Sequence, residues 1–335
     1  MKLLSIVVPC YNSEAYMEKC IESLLVGGDK VEVIIIDDGS KDRTGAIADE
    51  YAAKYPDIVK VVHQPNGGHG EGINVGIKNA TGKFIKIVDS DDKLSVDFIP
   101  FLNALETGAK DADLVVTNYV YTYEDQTKNH TIRFKNVFKP NAIIGWEDTK
   151  RFRVEQFLMI HSCTFRTELA KKYGPGLPKH VFYEDNLYIG KIKPHVDKIY
   201  YLDLNLYNYT IGREGQSMAR ETMAKRYMHQ VQVCEMLFNE WDLEATKQKS
   251  KRLYKLLMHE MEVMYAGACA FAMLSSDEKY YENIQNMWKK AFEHDEKNAK
   301  KLRYGFLRFM NIKGKFGRKL GIFFYNLAHV VVKFN

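Results

Sequence analysis

The chain has 335 residues, enough for one large domain or two ordinary ones, and its 46% hydrophobic and 27% charged residues are those of a soluble globular protein rather than a disordered one. The formal net charge of +5 belongs to the end of the chain: Lys301 to Asn335 holds eight Lys or Arg and no acid, against 40 basic and 43 acidic side chains before it. Five scattered cysteines, with neither a CxxC pair nor zinc spacing, exclude a zinc site, and "HEMEV" at His259 has Val263 where a zinc helix needs its second histidine.

In chain order, "LLSIVVP" meets Pro9 and polar residues too soon for a signal peptide and reads as a first strand, which places the chain in the cytosol. Met17, Ile21, Leu24 and Leu25 then share one face of a helix that Ser13 is suited to cap. The runs "VEVIIIDD", "VKVVHQ", "FIKIVDSDD" and "DLVVTNYVY" continue the alternation to Tyr123. Continuous apolar strands separated by helical segments predict an α/β fold, a mainly parallel sheet covered on both faces. In such sheets ligands collect at the carboxyl ends of the strands. There the sequence carries Pro9, Tyr11 and Asn12, then Asp37 and Asp38, then "PNGGHGEG", then "DSDD", four polar loops expected to face one cleft.

Asp89, Asp91 and Asp92 end a buried strand, and carboxylates so close repel one another unless a cation neutralises them. Spacing of i and i+2 lets two of them flank a divalent ion whose shell a substrate phosphate completes. The plainer reading is an Asp-rich turn in which Asp92 or Ser95 caps the next helix. Asp37 and Asp38 are placed to accept hydrogen bonds from a ribose or a base, or simply to start the turn at Gly39. Gly68, Gly70 and Gly72 do not make a dinucleotide fingerprint, because the spacing is one residue short and the loop follows the third strand. They are read as permitting close backbone approach to a ligand, ahead of a helix with Ile73, Ile77 and Ala80 on one face.

From Asp125 to Asn141 the chain is polar, suiting exposed strands or loop, and a mixed region runs on to about Gln216. Beyond Arg220 the pattern is helical, with a boundary near residue 220. In the tail, cations interleave with aromatic and aliphatic residues and no nucleic-acid module precedes them, so nucleic acid is not expected. The run from Leu320 to Val332 is too short to span a bilayer. An interfacial helix on an anionic membrane suits it, the alternative being a final helix packed on its neighbours or across a homo-oligomer interface.

The ordered segments "SIVVPCYNSEAYMEKCIESLL", "VEVIIIDDGSKDRT", "NGGHGEGINVGIKNATGKFIKIVDSDD" and "FYEDNLYIG" resemble the family 2 glycosyltransferases with the GT-A fold. The resemblance implies a GT-A domain over 1–219, with a nucleotide-sugar half to about 124 and an acceptor half from 125, followed by a helical region over 220–335 with its basic amphipathic tail at 301–335. It implies inverting transfer from a UDP-sugar to a hydroxyl of a glycan, glycolipid or glycoprotein, aided by Mn²⁺ or Mg²⁺, in a cytoplasmic protein with the inner membrane face as a peripheral site. Pro9 and Tyr11 would pack on the nucleotide, Asp38 or Asp37 would bond the uracil, and Asn66 and Gly67 would lie beside base and ribose. Asp89 would reach the ribose or donor sugar and, with Asp91, the metal that bridges the diphosphate.

Many members follow "NGG" with an Ala-Arg-Asn run, whereas "HGEGIN" has no Arg. His69 is the candidate substitute, unless it is a loop histidine facing water. Glu184 and Asp185 start a helix and diverge by about 100°, so one faces the cleft, and by its place in the motif Asp185 is the candidate general base. The plainer reading is that the helix dipole favours both. In "GREGQSM", Arg213 would pair with the diphosphate and Gln216 or Ser217 would bond it, or the segment is a surface turn. His161 and Ser162 are read as core residues or as lining the acceptor side. A nucleotidyltransferase would want a Gly-rich, Arg-bearing loop after the first strand, which "PCYNSEAY" is not, and an inactive sugar-binding scaffold would not need both the metal acids and the base.

Overall fold

The computed structural model describes residues 1–123, 129–153, 156–211 and 220–332. The chain forms two compact units, Met1–Arg151 with Leu158–Glu214, and Phe152–Phe157 with Gly215–Asn335.

The first unit opens with β1 (Leu4–Cys10), α1 (Met17–Leu25), β2 (Val31–Asp37), α2 (Thr44–Lys54), β3 (Val59–His63), α3 (His69–Asn79) and β4 (Phe84–Ile87). It continues with β5 (Lys93–Leu94), α4 (Phe98–Glu106), β6 (Leu114–Tyr123), β7 (Asn129–Ile132), β8 (Ile143–Ile144), β9 (Cys163–Arg166), α5 (Thr167–Tyr173), α6 (Glu184–Ile192) and β10 (Ile199–Ile211). Every residue of β1, β2 and β4 is buried, as strands covered on both faces must be. The strand order is β3-β2-β1-β4-β9-β6-β10-β5, with β7 on β6 and β8 on β10. β1 pairs in parallel with β2 on one side and with β4 on the other. The chain winds outward through β2 and β3 and then returns across β1 to β4, so a topological switch point lies between β1 and β4, the place where such sheets bind ligands.

Beyond β4 the sheet is mixed. β9 runs antiparallel between β4 and β6, while β6 and β10 are parallel. β9 comes from "CTFR", four residues whose pattern is too short to signal a central strand.

Two local readings change. Ser13 does not cap α1 through its side chain: Tyr16 holds the cap position, and the Ser13 hydroxyl instead accepts from the Tyr11 N–H and bonds Ser90 Oγ at 2.8 Å. Nor do Gly70 and Gly72 of "NGGHGEG" open space for a ligand; with Gly76 further along α3 they face other elements. A Cβ at Gly72 would stand 3.0 Å from Pro9 Cβ, one at Gly70 would stand 3.0 Å from Glu184 Cγ, and one at Gly76 would come within 2.1 Å of Val7 Cγ1. They let α3 lie directly on β1 and against the start of α6.

The second unit is helical: α7 (Arg220–Lys225), α8 (Tyr227–Glu240), α9 (Leu243–Lys249), α10 (Lys251–Leu274), α11 (Tyr280–His294), α12 (Glu296–Tyr304) and α13 (Gly314–Val332). Side chains of Asp242, Ser250 and Asp295 cap α9, α10 and α12 by accepting from backbone N–H groups. Tyr265 and Trp288, both fully buried, meet in its core with ring centroids 4.8 Å apart. Leu302 and Leu307 are also fully buried, so the first part of the 301–335 tail belongs to this core. α13 is tied to the end of α10 by Arg318, whose guanidinium donates to the carbonyls of Met273 and Ser275 at 2.8 and 2.7 Å. Among the described residues no helix is long and apolar enough to cross a membrane.

Candidate active site

The site is assembled at the carboxyl ends of β1, β2 and β4 and the start of α6. β1 and β2 end together, Cys10 beside Asp37, and β3 brings His63 alongside Asp37. Asp37 accepts from the Ser40 N–H at 3.1 Å and contacts His63 Nδ1 at 2.9 Å. Burial pulls its carboxyl upward, but these bonds hold it below the usual carboxylate range.

Asp38 is buried and faces the next loop. It accepts from Gln64 Nε2 at 2.6 Å, from the Gly67 N–H at 2.8 Å and from the Gly68 N–H at 2.7 Å. Three of about four acceptor positions on the carboxylate are thus taken by the segment from Gln64 to Gly68. Pro9 is buried against α3, Tyr11 is 48% exposed, and Asn66 is exposed beside the buried Gly67. The Ser13–Ser90 bond joins the first loop to the aspartate turn.

In that turn the Asp92 N–H donates to the Asp89 carbonyl, folding Asp92 back beneath Asp89. Asp92 is 2% exposed and accepts from the Tyr207 hydroxyl and the Thr210 N–H, both at 2.7 Å, while the Tyr207 oxygen accepts from the Asp89 N–H at 3.1 Å. β10 therefore fixes the turn. Burial, then the charges of Asp89 and Asp91, push the Asp92 carboxyl well above its ordinary range.

Asp89, Asp92 and His161 bring possible ligand atoms within 4.8 Å of one another. His161 is buried, packs 4.7 Å from the Tyr207 ring and 4.3 Å from that of Tyr209, and is pushed down to about 4 by burial, so it is neutral. Among the described residues its Nδ1 has no hydrogen-bond partner. Two aspartates with a neutral imidazole are a donor set that fits a divalent cation of the Mn²⁺ or Mg²⁺ kind, whose charge would draw Asp92 back to its ionised form. The expected pair was Asp89 with Asp91. The structure keeps Asp89 in this group and leaves the half-buried Asp91 outside it, because the turn swings Asp92 inward instead. Beneath the cluster, Lys86 is 1% exposed and donates to the carbonyls of His161 and Cys163 at 2.8 and 3.3 Å; burial lowers it to about 8.

His69, the first residue of α3, reaches both halves of the site. Its Nε2 lies 3.0 Å from Asp89 Oδ1 and its Nδ1 lies 2.6 Å from Glu184 Oε1. Desolvation opposes the charge on the ring, but the two carboxylates raise it well above the usual imidazole range, and Asp89 is correspondingly lowered against its own burial. It is not a loop histidine facing water.

α6 begins after Tyr183, which holds a left-handed backbone at φ 69°. Glu184, 6% exposed, turns to His69. Asp185 follows, half-buried, accepting from Asn186 Nδ2 at 3.1 Å. Burial, then the charge of Glu184, raise its carboxyl to about 7. Ser162 is buried with its hydroxyl donating to the Met159 carbonyl. Arg213, Gln216 and Ser217 lie outside the described residues.

Sequence reasoning grouped Asp92 with Asp89 and Asp91 but chose Asp91 as the partner of Asp89, read His161 as a core or acceptor-side residue rather than a neighbour of the acids, and did not single out Tyr207. The tyrosines at i and i+2 in "LYNYTI" were a usable signal for one strand face turned to the site. Nothing local marked His161 as a neighbour of the aspartate turn.

A sheet with its switch point beside an aspartate turn defines the class, and the family model described as Glycosyl transferase family 2 matches residues 5–174; the chain belongs to that family. Among curated relatives, EpsH of Bacillus subtilis is 34% identical over 226 residues, 62% of this chain and 60% of the relative. EpsJ of the same organism, an uncharacterized glycosyltransferase, is 29% identical over 284 residues, 80% of this chain and 78% of the relative. Among solved structures, S. aureus TarS 1–349 in complex with UDP-GlcNAc superposes with a TM-score of 0.71 at 22% identity, covering 98% of this chain and 92% of that one. The fold is therefore the GT-A fold anticipated from the motifs.

Replacing Asp38 by Asn leaves one acceptor oxygen for three donors. Asp38→Asn is expected to destabilise the protein by about 1–3 kcal/mol, read from the midpoint of urea unfolding.

Proposed function

We propose that the chain is an inverting glycosyltransferase that moves a sugar from a UDP-sugar to a hydroxyl of a glycan, glycolipid or glycoprotein. The observation that carries this reading is the placement of Asp185 at the start of α6, next to Glu184, which His69 joins to Asp89 of the aspartate turn; a carboxyl raised to about 7 by burial supports it. A base tuned near neutrality beside an acid cluster is what proton removal from an attacking hydroxyl requires. Support for the donor comes from the fold neighbour TarS in complex with UDP-GlcNAc, and for a cation from a Pyrobaculum calidifontis mannosyltransferase in complex with GDP-Man and Mn²⁺, with a TM-score of 0.52 at 16% identity.

In this reading residues to about 124 bind the nucleotide-sugar and 125–219 the acceptor. Tyr11 and Pro9 pack on the nucleotide, Asp37 and the remaining acceptor position of Asp38 meet the uracil, and Asn66 and Gly67 flank base and ribose. Asp89, with Asp91 on the outer side of the turn or Asp92 and His161 beneath it, holds Mn²⁺ or Mg²⁺, which when bound offsets the charge of the diphosphate. Asp185 takes the acceptor proton as the acceptor oxygen bonds to the anomeric carbon and the bond to the diphosphate breaks. Arg213, Gln216 and Ser217 are assigned to the diphosphate. The enzyme works in the cytoplasm, at the inner membrane face. α13 supports that placement, with Phe316 and Phe323 exposed by 72% and 59% and Lys315 and Lys319 exposed beside them.

Release of UDP across a panel of UDP-sugars with Mn²⁺ tests the reading, and no release from any donor would sink it. Asp91→Ala is expected to remove metal-dependent turnover while the protein remains folded; unchanged Mn²⁺ dependence would assign the cation to the Asp92 and His161 side of the turn.

Asp185→Asn should retain UDP binding and lower turnover by roughly 10² to 10⁴. A base must be ionised, so kcat/KM of the native enzyme should rise with pH through about 7, and the pH–rate profile of the variant should lack that limb.

Because Leu302 and Leu307 are core residues, the membrane reading is better tested by substitution than by removing 301–335. Phe316→Ser should weaken sedimentation with anionic vesicles roughly tenfold or more, and rising salt should weaken it further. Unchanged vesicle binding beside an altered mass by light scattering would assign the face to an oligomer.

A further inference from the structure

The sequence offers His69 as a ligand for the donor diphosphate. The geometry points to a different role: we propose that His69 is a positioning residue, a clamp between Asp89 and Glu184 that fixes the nucleotide-sugar side of the site to the catalytic helix and leaves Asp185 alone as the base. The inference rests on the glycosyl-transfer reading above and deepens it.

Both ring nitrogens are engaged, Nε2 by Asp89 at 3.0 Å and Nδ1 by Glu184 at 2.6 Å. Each ring nitrogen offers a single hydrogen, so neither remains for a phosphate oxygen while both bonds stand. The ring's placement is set by backbone. Gly68 precedes it at φ 84°, a conformation glycine adopts freely, and a Cβ there would meet the His180 N at 2.9 Å. Gly70, one residue beyond, lies so close to α6 that a Cβ would stand 3.0 Å from Glu184 Cγ and 3.1 Å from the Pro178 carbonyl oxygen. The first turn of α3 is thus wedged against the start of α6, and the imidazole spans the gap to the turn after β4.

The clamp sorts the two adjacent acids. Glu184 is 6% exposed with Oε1 held by His69, whereas the Asp185 carboxylate accepts from Nδ2 of its neighbour Asn186. One acid is a structural anion and the next is left for proton transfer. At its other end the ring orients Asp89, and outer partners of this kind typically change metal affinity or activity by about 10–100-fold when removed.

The test is a double-mutant cycle on the full chain, His69→Ala, Glu184→Gln and the pair, with kcat, donor KM, UDP affinity by calorimetry at saturating Mn²⁺, and Mn²⁺ affinity by electron paramagnetic resonance. His69→Gln, which keeps polarity and much of the volume, is carried alongside so that the clamp is tested even where the alanine variant folds poorly. The clamp predicts that each single variant lowers kcat about 10–100-fold, that UDP affinity changes less than about threefold, and that the pair is no slower than the slower single variant. It also predicts weaker Mn²⁺ binding in His69→Ala. A parallel loss of UDP affinity and kcat would restore the diphosphate role and overturn the clamp. Additive losses would show that the two residues act separately, and a Glu184→Gln defect as deep as that of Asp185→Asn with active His69→Ala would make Glu184 the base; either overturns it. These last outcomes are compatible with glycosyl transfer itself, which fails only if native enzyme releases no UDP.

Discussion

Four carboxylates, Asp89, Asp92, Glu184 and Asp185, converge where β4 ends and α6 begins, and the site is organised by how each is prevented from repelling the rest. Asp92 is buried, bonded to Tyr207 and Thr210, and pushed toward its neutral form. Asp89 keeps its charge through His69. Glu184 shares the same ring, and Asp185 is left near neutrality with its carboxyl raised to about 7. Two cations, the His69 ring and the buried Lys86 ammonium, act against this charge. A divalent ion would add a third. Environments that push neighbouring carboxyls apart in this way are what the proposed division between a base and its supporting acids requires.

The sheet makes this arrangement possible. Its switch point at β1 opens a crevice at the carboxyl ends of β1 and β4, and the glycines of α3 bring that helix down onto β1 so its first residue reaches both β4 and α6. Asp38 stitches β2 to the loop leading into α3. The polar loops at the strand ends are thereby tied to one another through buried polar bonds. The helical unit has an independent logic, an aromatic and methionine-rich core closed by side-chain caps, with α13 anchored by Arg318 and leaving Phe316 and Phe323 exposed.

Sequence by itself determined the α/β class, the family, the four polar loops and the helical second half. Each of these is local information: apolar runs of strand length, turn residues at strand ends, and a change of period beyond residue 220. It also isolated Asp89, Glu184 and Asp185, because acidic residues at the ends of buried strands or the start of a helix stand out without any contact being known. Only the tertiary structure decided partners. Asp92 and Asp91 are indistinguishable as letters, and the turn that buries one and leaves the other half-buried is set by Tyr207 and Thr210, more than a hundred residues away. His161 joins the acids because β9 enters the sheet antiparallel beside β4, and His69 bridges Asp89 and Glu184 because α6 packs on the glycines next to it. Periodicity reports which face a residue occupies along its own element. Which charges meet across elements depends on the crossover topology and close packing that bring distant segments within hydrogen-bond reach, and no local pattern encodes that distance.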